Sequence, residues 1–375
     1  MLYRINFIFV MGFCLMISLH FINLFLHVEP KIHLTENRSV SPEVKFEGSY
    51  SKFVRGYDAY FKDHFGFRNF LVYSSNLLLI KIFNQSSSDK VIIGKNKWLF
   101  FAGEDNAFHL KERKVSKDLL DLFSEKFRKW VFLFKNKNIP FVFFVAPDKQ
   151  SIYPEYLKEP QASWESEKNY DMLASILFKQ FGANFINVKP ELLNYKQTNK
   201  KLYFKADSHW NDTSAFFVYK MVMKNLRLYA SLKSIPILDE NQMTVVNQIY
   251  TGDMIRIFWG ISNLYDEKEV FLRGSNRDAI IVESHSGEYH GVPIQKEFYT
   301  TTNPTLQKQG KTLLAVRDSQ FIPMIHLFAE SFYRVILVNV WEDKANIEEL
   351  IENEKPDAVI FESVERGLVQ FLKKI

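Results

Sequence analysis

The chain opens on its longest apolar run. Residues 5–28, INFIFVMGFCLMISLHFINLFLHV, contain no Lys, Arg, Asp or Glu. At about 1.5 Å per residue a helix of this length crosses a bilayer core of about 30 Å. Arg4 and the terminal amine form a positive flank, which predicts the N-terminus inside and the rest of the chain outside. No small-x-small pattern follows before Glu29 and Pro30, and Phe13 before Cys14 fits a lipoprotein site poorly. The pattern therefore predicts an uncleaved signal anchor over 1–28. Residues 29–50 turn polar and read as a tether, leaving 51–375 as one large domain.

Within that domain the periodicity changes several times. Phe53, Tyr57, Tyr60, Phe61, Phe70, Leu71 and Leu77 to Leu79 recur at helical spacing over 51–83. VIIGKNKWLFF (91–101) reads as strand, turn, strand, and a helix with a polar outer face is predicted over 115–137. IPFVFFVAP (139–147) is continuously apolar, as a strand buried on both faces would be. Helical patterning returns over 165–180, ANFINV (183–188) reads as a short strand, and a helix is predicted over 212–230. Residues 231–305 give only strand-like fragments such as AIIVES (279–284) and read as irregular, with room for a small sheet. The end is clearer. TLLAV (312–316), RVILVNV (334–340) and DAVIFESV (357–364) read as strands separated by helices over 321–333 and 344–354. That alternation predicts right-handed crossovers and an α/β fold with a mostly parallel central sheet.

Charge and composition narrow the function. The net charge of +5 is mild and the Lys and Arg are dispersed, so nucleic-acid binding is not expected. The single cysteine, Cys14, cannot form an internal disulfide and says nothing of redox compartment.

Two places combine reactive side chains with a helix start. In KADSHWND (205–212), Asp207 stands two residues before His209. In extended chain this spacing puts both on one side, where a carboxylate fixes the imidazole tautomer and stabilises its charged form. The alternative is that Asp207 or Asp212 caps the next helix. In VRDSQFIP (316–323), Ser319 lies between an apolar strand and a helix, beside N–H groups without intrahelical partners, which suits a developing oxyanion. Here the alternative is an N-cap at Asp318 or Ser319. Asp207, His209, Asp212, His285 and His290 form no recognised metal spacing, so neither metal nor cofactor is expected. Asp148, Lys149 and Tyr153 follow the predicted central strand and are candidates to line the same crevice. TGDMIR (251–256) reads as a substrate loop or an ordinary turn.

The motifs YFKDHFGFRNFL, VIIGKNKWLFF, VAPDKQSIYPEYL, DSHWND, GDM and LLAVRDSQFIPMIHLFAESFYRVILV, in that order, resemble the alginate O-acetyltransferase family of the AlgJ and AlgX type. The resemblance spans about 55–370 and implies an SGNH-hydrolase-like domain. It implies Asp207 as the orienting acid, His209 as the base and Ser319 as the nucleophile, with oxyanion donors at Ser319 and Gln320. Arg317 stands where the family has glycine, and Gln320 where phenylalanine is usual. Trp210 of the DSHW motif is either a sugar-stacking ring or part of the core. The function implied is transfer of acetyl groups to an extracellular polysaccharide by a domain on the periplasmic side of the inner membrane, with a membrane-bound O-acyltransferase as acetyl donor. An acetylesterase with the same triad and a non-catalytic polysaccharide-binding scaffold are the alternatives.

Overall fold

The computed structural model describes residues 2–32, 39–103, 117–158, 171, 174–175, 177–179, 182–261, 264–265, 267–274, 279–289, 292–341 and 346–375. Its helices are α1 (Leu2–Leu26), α2 (Tyr50–His64), α3 (Arg68–Lys81), α4 (Lys117–Asn136), α5 (Lys149–Ile152), α6 (Val188–Lys196), α7 (Asp212–Leu226), α8 (Ile325–Ser331), α9 (Ile347–Glu354) and α10 (Leu368–Lys374). Its strands are β1 (Val91–Ile93), β2 (Leu99–Phe101), β3 (Phe141–Ala146), β4 (Phe185–Ile186), β5 (Met243–Tyr250), β6 (Glu267–Gly274), β7 (Ile281–Tyr289), β8 (Val292–Thr302), β9 (Thr312–Arg317), β10 (Arg334–Asn339) and β11 (Ala358–Val364).

Seven strands form the central sheet in the order β4-β3-β11-β9-β10-β8-β7. From β4 to β10 every neighbouring pair is parallel, while β8 joins β10 antiparallel and β7 joins β8 antiparallel. The sheet is thus mixed. Its parallel half shows why the strand sequences are continuously apolar. Successive side chains leave opposite faces of a strand. Val142, Phe144, Leu313, Ala315, Val335 and Ile360 enter one core cluster with Val218, Tyr219 and Val222 of α7. Phe141, Phe143, Leu314, Val316, Ile336 and Phe361 enter another with Phe127, Trp130 and Phe134 of α4 and Phe371 of α10. Both faces are covered, so neither can be polar.

The region 231–305 is more ordered than its sequence pattern predicts. β5 and β6 form a two-stranded antiparallel ribbon, and β7 and β8 a long hairpin extending the main sheet. Along β5 most positions are exposed, so no buried face imposes an alternating signature. Of the helix predicted over 165–180, residues up to 170 lie outside the described residues; 171, 174–175 and 177–179 are helical.

A third apolar cluster joins Ile80 of α3 and Val91, Ile93 and Leu99 of the first hairpin to Ala206, Met254, Ile255 and Trp259. This cluster lies beneath the polar residues described next and ties the loop around Asp207 to the loop after β5.

Candidate active site

β3, β9 and β11 run parallel and end together: Ala146 pairs with Val364, and Val316 with Phe361. Crevices at such strand ends are where an open parallel sheet collects reactive side chains. Just past β9, Asp318 caps the turn that carries Ser319. Its Oδ1 accepts from Gln320 N at 2.8 Å and its Oδ2 from Val364 N at 2.6 Å, while its own N–H donates to Glu362 Oε2 at 3.0 Å. The cap and the serine are therefore different residues. Asp318 satisfies the backbone, and the half-buried Ser319 begins the 3-10 turn Ser319–Met324.

The second loop is closed by a bridge between Tyr203 and Trp210 and by Asn211 N donating to Leu202 O at 3.0 Å. Asn211 is the N-cap of α7, accepting from Ser214 N at 3.1 Å. Asp212 accepts from Leu272 N of β6 instead, at 2.9 Å. Asp207 is thus released from capping. It is buried at 1% exposure and accepts four hydrogen bonds. Oδ1 receives His209 Nδ1 at 2.7 Å and His209 N at 2.9 Å, and Oδ2 receives the Tyr250 hydroxyl at 2.6 Å and Asp253 N at 2.8 Å. Burial alone would raise the Asp207 pKa, but the bonds from His209, Tyr250 and Asp253 and the charge on His209 outweigh it and hold the carboxyl well below the usual range.

A second carboxylate completes the cluster. Asp253 accepts from Ser208 N at 2.8 Å and from Ser208 Oγ at 2.5 Å, and its Oδ2 lies 3.4 Å from His209 Nδ1. Burial would lower the His209 pKa, yet the hydrogen bonds and negative charge of Asp207 and Asp253 push it up to about 10. With Nδ1 committed, Nε2 is the free working atom: it is buried and without a hydrogen-bond partner among the described residues. Gly252 makes this packing possible. A Cβ there would stand 2.0 Å from Ala206 O, so only glycine lets the two loops approach so closely.

Gln320 fastens the serine turn to the histidine loop. Its side-chain amide donates to Ser208 O at 3.1 Å, its Oε1 accepts from Trp210 N at 3.3 Å, and its backbone carbonyl accepts from Trp210 Nε1 at 2.8 Å. These contacts flank His209 on both sides and adjoin Ser319, so the two segments share one rim of the sheet. The backbone N–H of Gln320 already serves Asp318, which leaves the expected oxyanion donor at that position engaged elsewhere.

Comparison with known proteins agrees with this arrangement. Residues 91–268 match the family model of the SGNH hydrolase-like domain of acetyltransferase AlgX. Over those residues, somewhat under half of its length, the chain is similar to an AlgX-type domain. The matched span holds Asp207, His209, Tyr250 and Asp253 and ends before Ser319, the expected nucleophile. Bacillus cereus PatB1 superimposes with a TM-score of 0.59 at 15% identity, covering 76% of this chain and 99% of that one. A second PatB1 structure, with a sulfonyl adduct, gives 0.56 at 16% identity with the same coverage. At these identities the likeness is one of fold. The O-acetyltransferase domain of Pseudomonas putida AlgJ covers 74% of this chain and 92% of its own at 17% identity, with a TM-score of 0.43 that supports no further argument. No curated protein matches.

The four residues expected to contact substrate are buried. Trp210 is fully buried, so its ring has no free face for a sugar; it belongs to the core. Tyr153 is buried against Trp98 and accepts from Leu202 N at 3.0 Å. Lys149 is buried and donates to Leu99 O at 2.6 Å and Lys205 O at 3.1 Å; burial lowers its pKa to about 7. Asp148 is buried and pairs with Arg366. All four follow the central strand or the motif as expected and help hold the loops through the contacts given above. Arg317 is likewise buried and turns its Nη1 to Asp318 O at 3.3 Å, which strengthens the serine turn.

Asp207, His209 and Asp253 place three potential metal-ligand atoms within 4.8 Å of one another. Each already takes part in the bonds given above, and the Asp207–His209 contact at 2.7 Å needs a proton on Nδ1 or Oδ1 where a cation would sit. His290 of the weighed metal set lies outside the described residues, as does the side chain of His285. Asp253 and Tyr250 are the functional residues that sequence reasoning did not name. The signal for Asp253 was the Gly-Asp pair in TGDMIR, where a glycine marks a close backbone approach.

Proposed function

We propose that the protein is a serine-dependent O-acetyltransferase that modifies an extracellular polysaccharide. The observation that carries this reading is the Gln320 staple, which joins the Ser319 turn to the loop presenting an unpartnered imidazole nitrogen. Ser319 Oγ attacks the carbonyl carbon of an acetyl donor while its proton passes to His209 Nε2. The tetrahedral intermediate collapses, the donor's leaving group takes that proton, and acetyl-serine remains. A sugar hydroxyl then attacks the acetyl carbon, gives its proton to Nε2, and Ser319 recovers a proton as the ester departs. Asp207 orients the imidazole, Asp253 adds a second anion, and the Ser319 N–H at the start of the turn faces the developing oxyanion.

The AlgX-type acetyltransferase domain supports a polysaccharide acceptor, and the apolar α1 supports attachment to the inner membrane with the domain 51–375 on the periplasmic side. A membrane-bound O-acyltransferase as acetyl donor completes the scheme. Incubating the protein with a fluorophosphonate probe and, separately, with an acetyl donor and oligosaccharides tests this. Labelling that vanishes in Ser319→Ala, together with acetylated sugar as product, is expected. Free acetate alone would point to an esterase, and a folded protein that takes no label would point to a scaffold.

A further inference from the structure

We propose that one face of α2 rests on the surface of the bilayer in which α1 is anchored; this goes beyond the anchor reading but depends on it. Tyr50, Val54, Tyr57 and Phe61 stand at i, i+4, i+7 and i+11, one stripe along the helix, and are 76%, 45%, 52% and 40% exposed. No residue of α2 is buried. Its aromatic content therefore serves no core, although the sequence pattern reads as a core-facing helix. Lys52, Arg55, Asp58 and Lys62 lie off the stripe, with Lys62 paired to Asp58 at 2.6 Å, which gives the helix a polar face of mixed charge.

The tether settles which side is left open. Phe46 packs edge-on against Phe53 at 5.8 Å, Val44 lies against Gly56, and Ser41 N donates to Asp63 Oδ2 at 2.8 Å. These residues occupy one flank of α2, and the stripe beside it keeps 40–76% exposure, with Tyr57 stacked on Phe53 and Phe61 edge-on to Phe65. The tether also fixes the distance to the membrane. Asn69 Nδ2, in the first turn of α3, donates to Ile32 O at 3.0 Å. Ile32 follows the last residue of α1 by six positions, which span at most about 20 Å of extended chain. The α2–α3 corner is therefore held within about 20 Å of the end of the anchor. Tyr, Val and Phe on one face and charged side chains on the other are the composition of a helix lying in a membrane interface. The arrangement would hold the strand-end rim at a set height above the bilayer.

The test uses the full chain reconstituted in vesicles of phosphatidylcholine and phosphatidylglycerol. A fluorophore is placed on Val54→Cys or on Ala59→Cys in a Cys14→Ser background, and on native Cys14 in the unaltered chain. Lipid-borne nitroxide is expected to quench the labels at 54 and 14 strongly and the label at 59 weakly. Quenching at 14 with 54 as open to aqueous iodide as 59 overturns the proposal and leaves the anchor standing. A label at 54 shielded from both quenchers means that a protein, such as a second copy of the chain, covers the face, and also overturns it. No quenching at 14 removes the anchor reading, and this proposal with it.

Discussion

Replacing Gln320 with alanine isolates the staple. The side chain is fully buried and makes two of the three contacts between the serine turn and the histidine loop; the third, from Trp210 Nε1 to the backbone carbonyl, survives the substitution. Truncation leaves Ser208 O and Trp210 N without partners in a buried setting. Each orphaned group costs about 1–3 kcal/mol, the longer Trp210 contact at the lower end, so a loss of about 2–4 kcal/mol in unfolding free energy is expected. The rate effect is larger than stability alone explains. Losing about an ångström of registry between nucleophile and base costs roughly a hundredfold. Urea unfolding and the rate of fluorophosphonate labelling measure the two effects. Leu226→Ala, a fully buried site on α7, serves as control: it costs about 2–5 kcal/mol but should label at nearly the normal rate. Gln320→Glu keeps the acceptor for Trp210 N but offers Ser208 O no donor, and should fall with alanine. Unchanged stability and labelling in Gln320→Ala would refute the staple.

Other outcomes follow from the same geometry. Asp207→Asn, which keeps the shape but favours the wrong tautomer, should lower kcat by about 10³–10⁴, read by steady-state kinetics on a chromogenic acetyl ester. Because Asp207 and Asp253 raise the His209 pKa to about 10, the neutral imidazole is the minor form at pH 7; kcat/KM should climb with pH on a limb lying well above the ordinary 6.5 and move back toward it in Asp253→Asn. The linked stability has the opposite sense: the raised pKa contributes fully below about 6.5 and is lost as pH rises through about 10, which pH-dependent urea melts would show. Gly252→Ala must push its Cβ out of Ala206 O at 2.0 Å, and should cost about 1–3 kcal/mol and most of the activity. Trp210→Ala should unfold more easily by about 3–5 kcal/mol, as a core residue does, where a surface sugar-stacking ring would change only affinity.

The parallel half of the sheet was legible because its strands are buried on both faces and so carry runs such as FVFFVA. The β5–β6 ribbon was not, because β5 pairs with a strand that begins only at Glu267 and most positions along β5 are exposed. At the candidate site, the Asp207–His209 contact was legible through a two-residue spacing, and the turn beginning at Ser319 through its place between strand and helix. Asp253 and Tyr250 were not, since they reach Asp207 only after β5 folds back across forty-odd positions. Proximity in sequence to a strand end places Asp148, Lys149 and Tyr153 near the site, while their burial follows from contacts with distant residues such as Arg366, Leu99 and Leu202.

Acetyl transfer through Ser319 is the claim on which the account stands. The direct test is peptide mass spectrometry of the protein quenched in acid during turnover of an acetyl donor. The account predicts an acetyl group on the peptide containing Ser319, accumulating when no sugar acceptor is present and discharged when one is added. A protein that turns over the donor at full rate yet never carries acetyl on Ser319, or whose Ser319→Ala variant turns over the donor equally well, would contradict it.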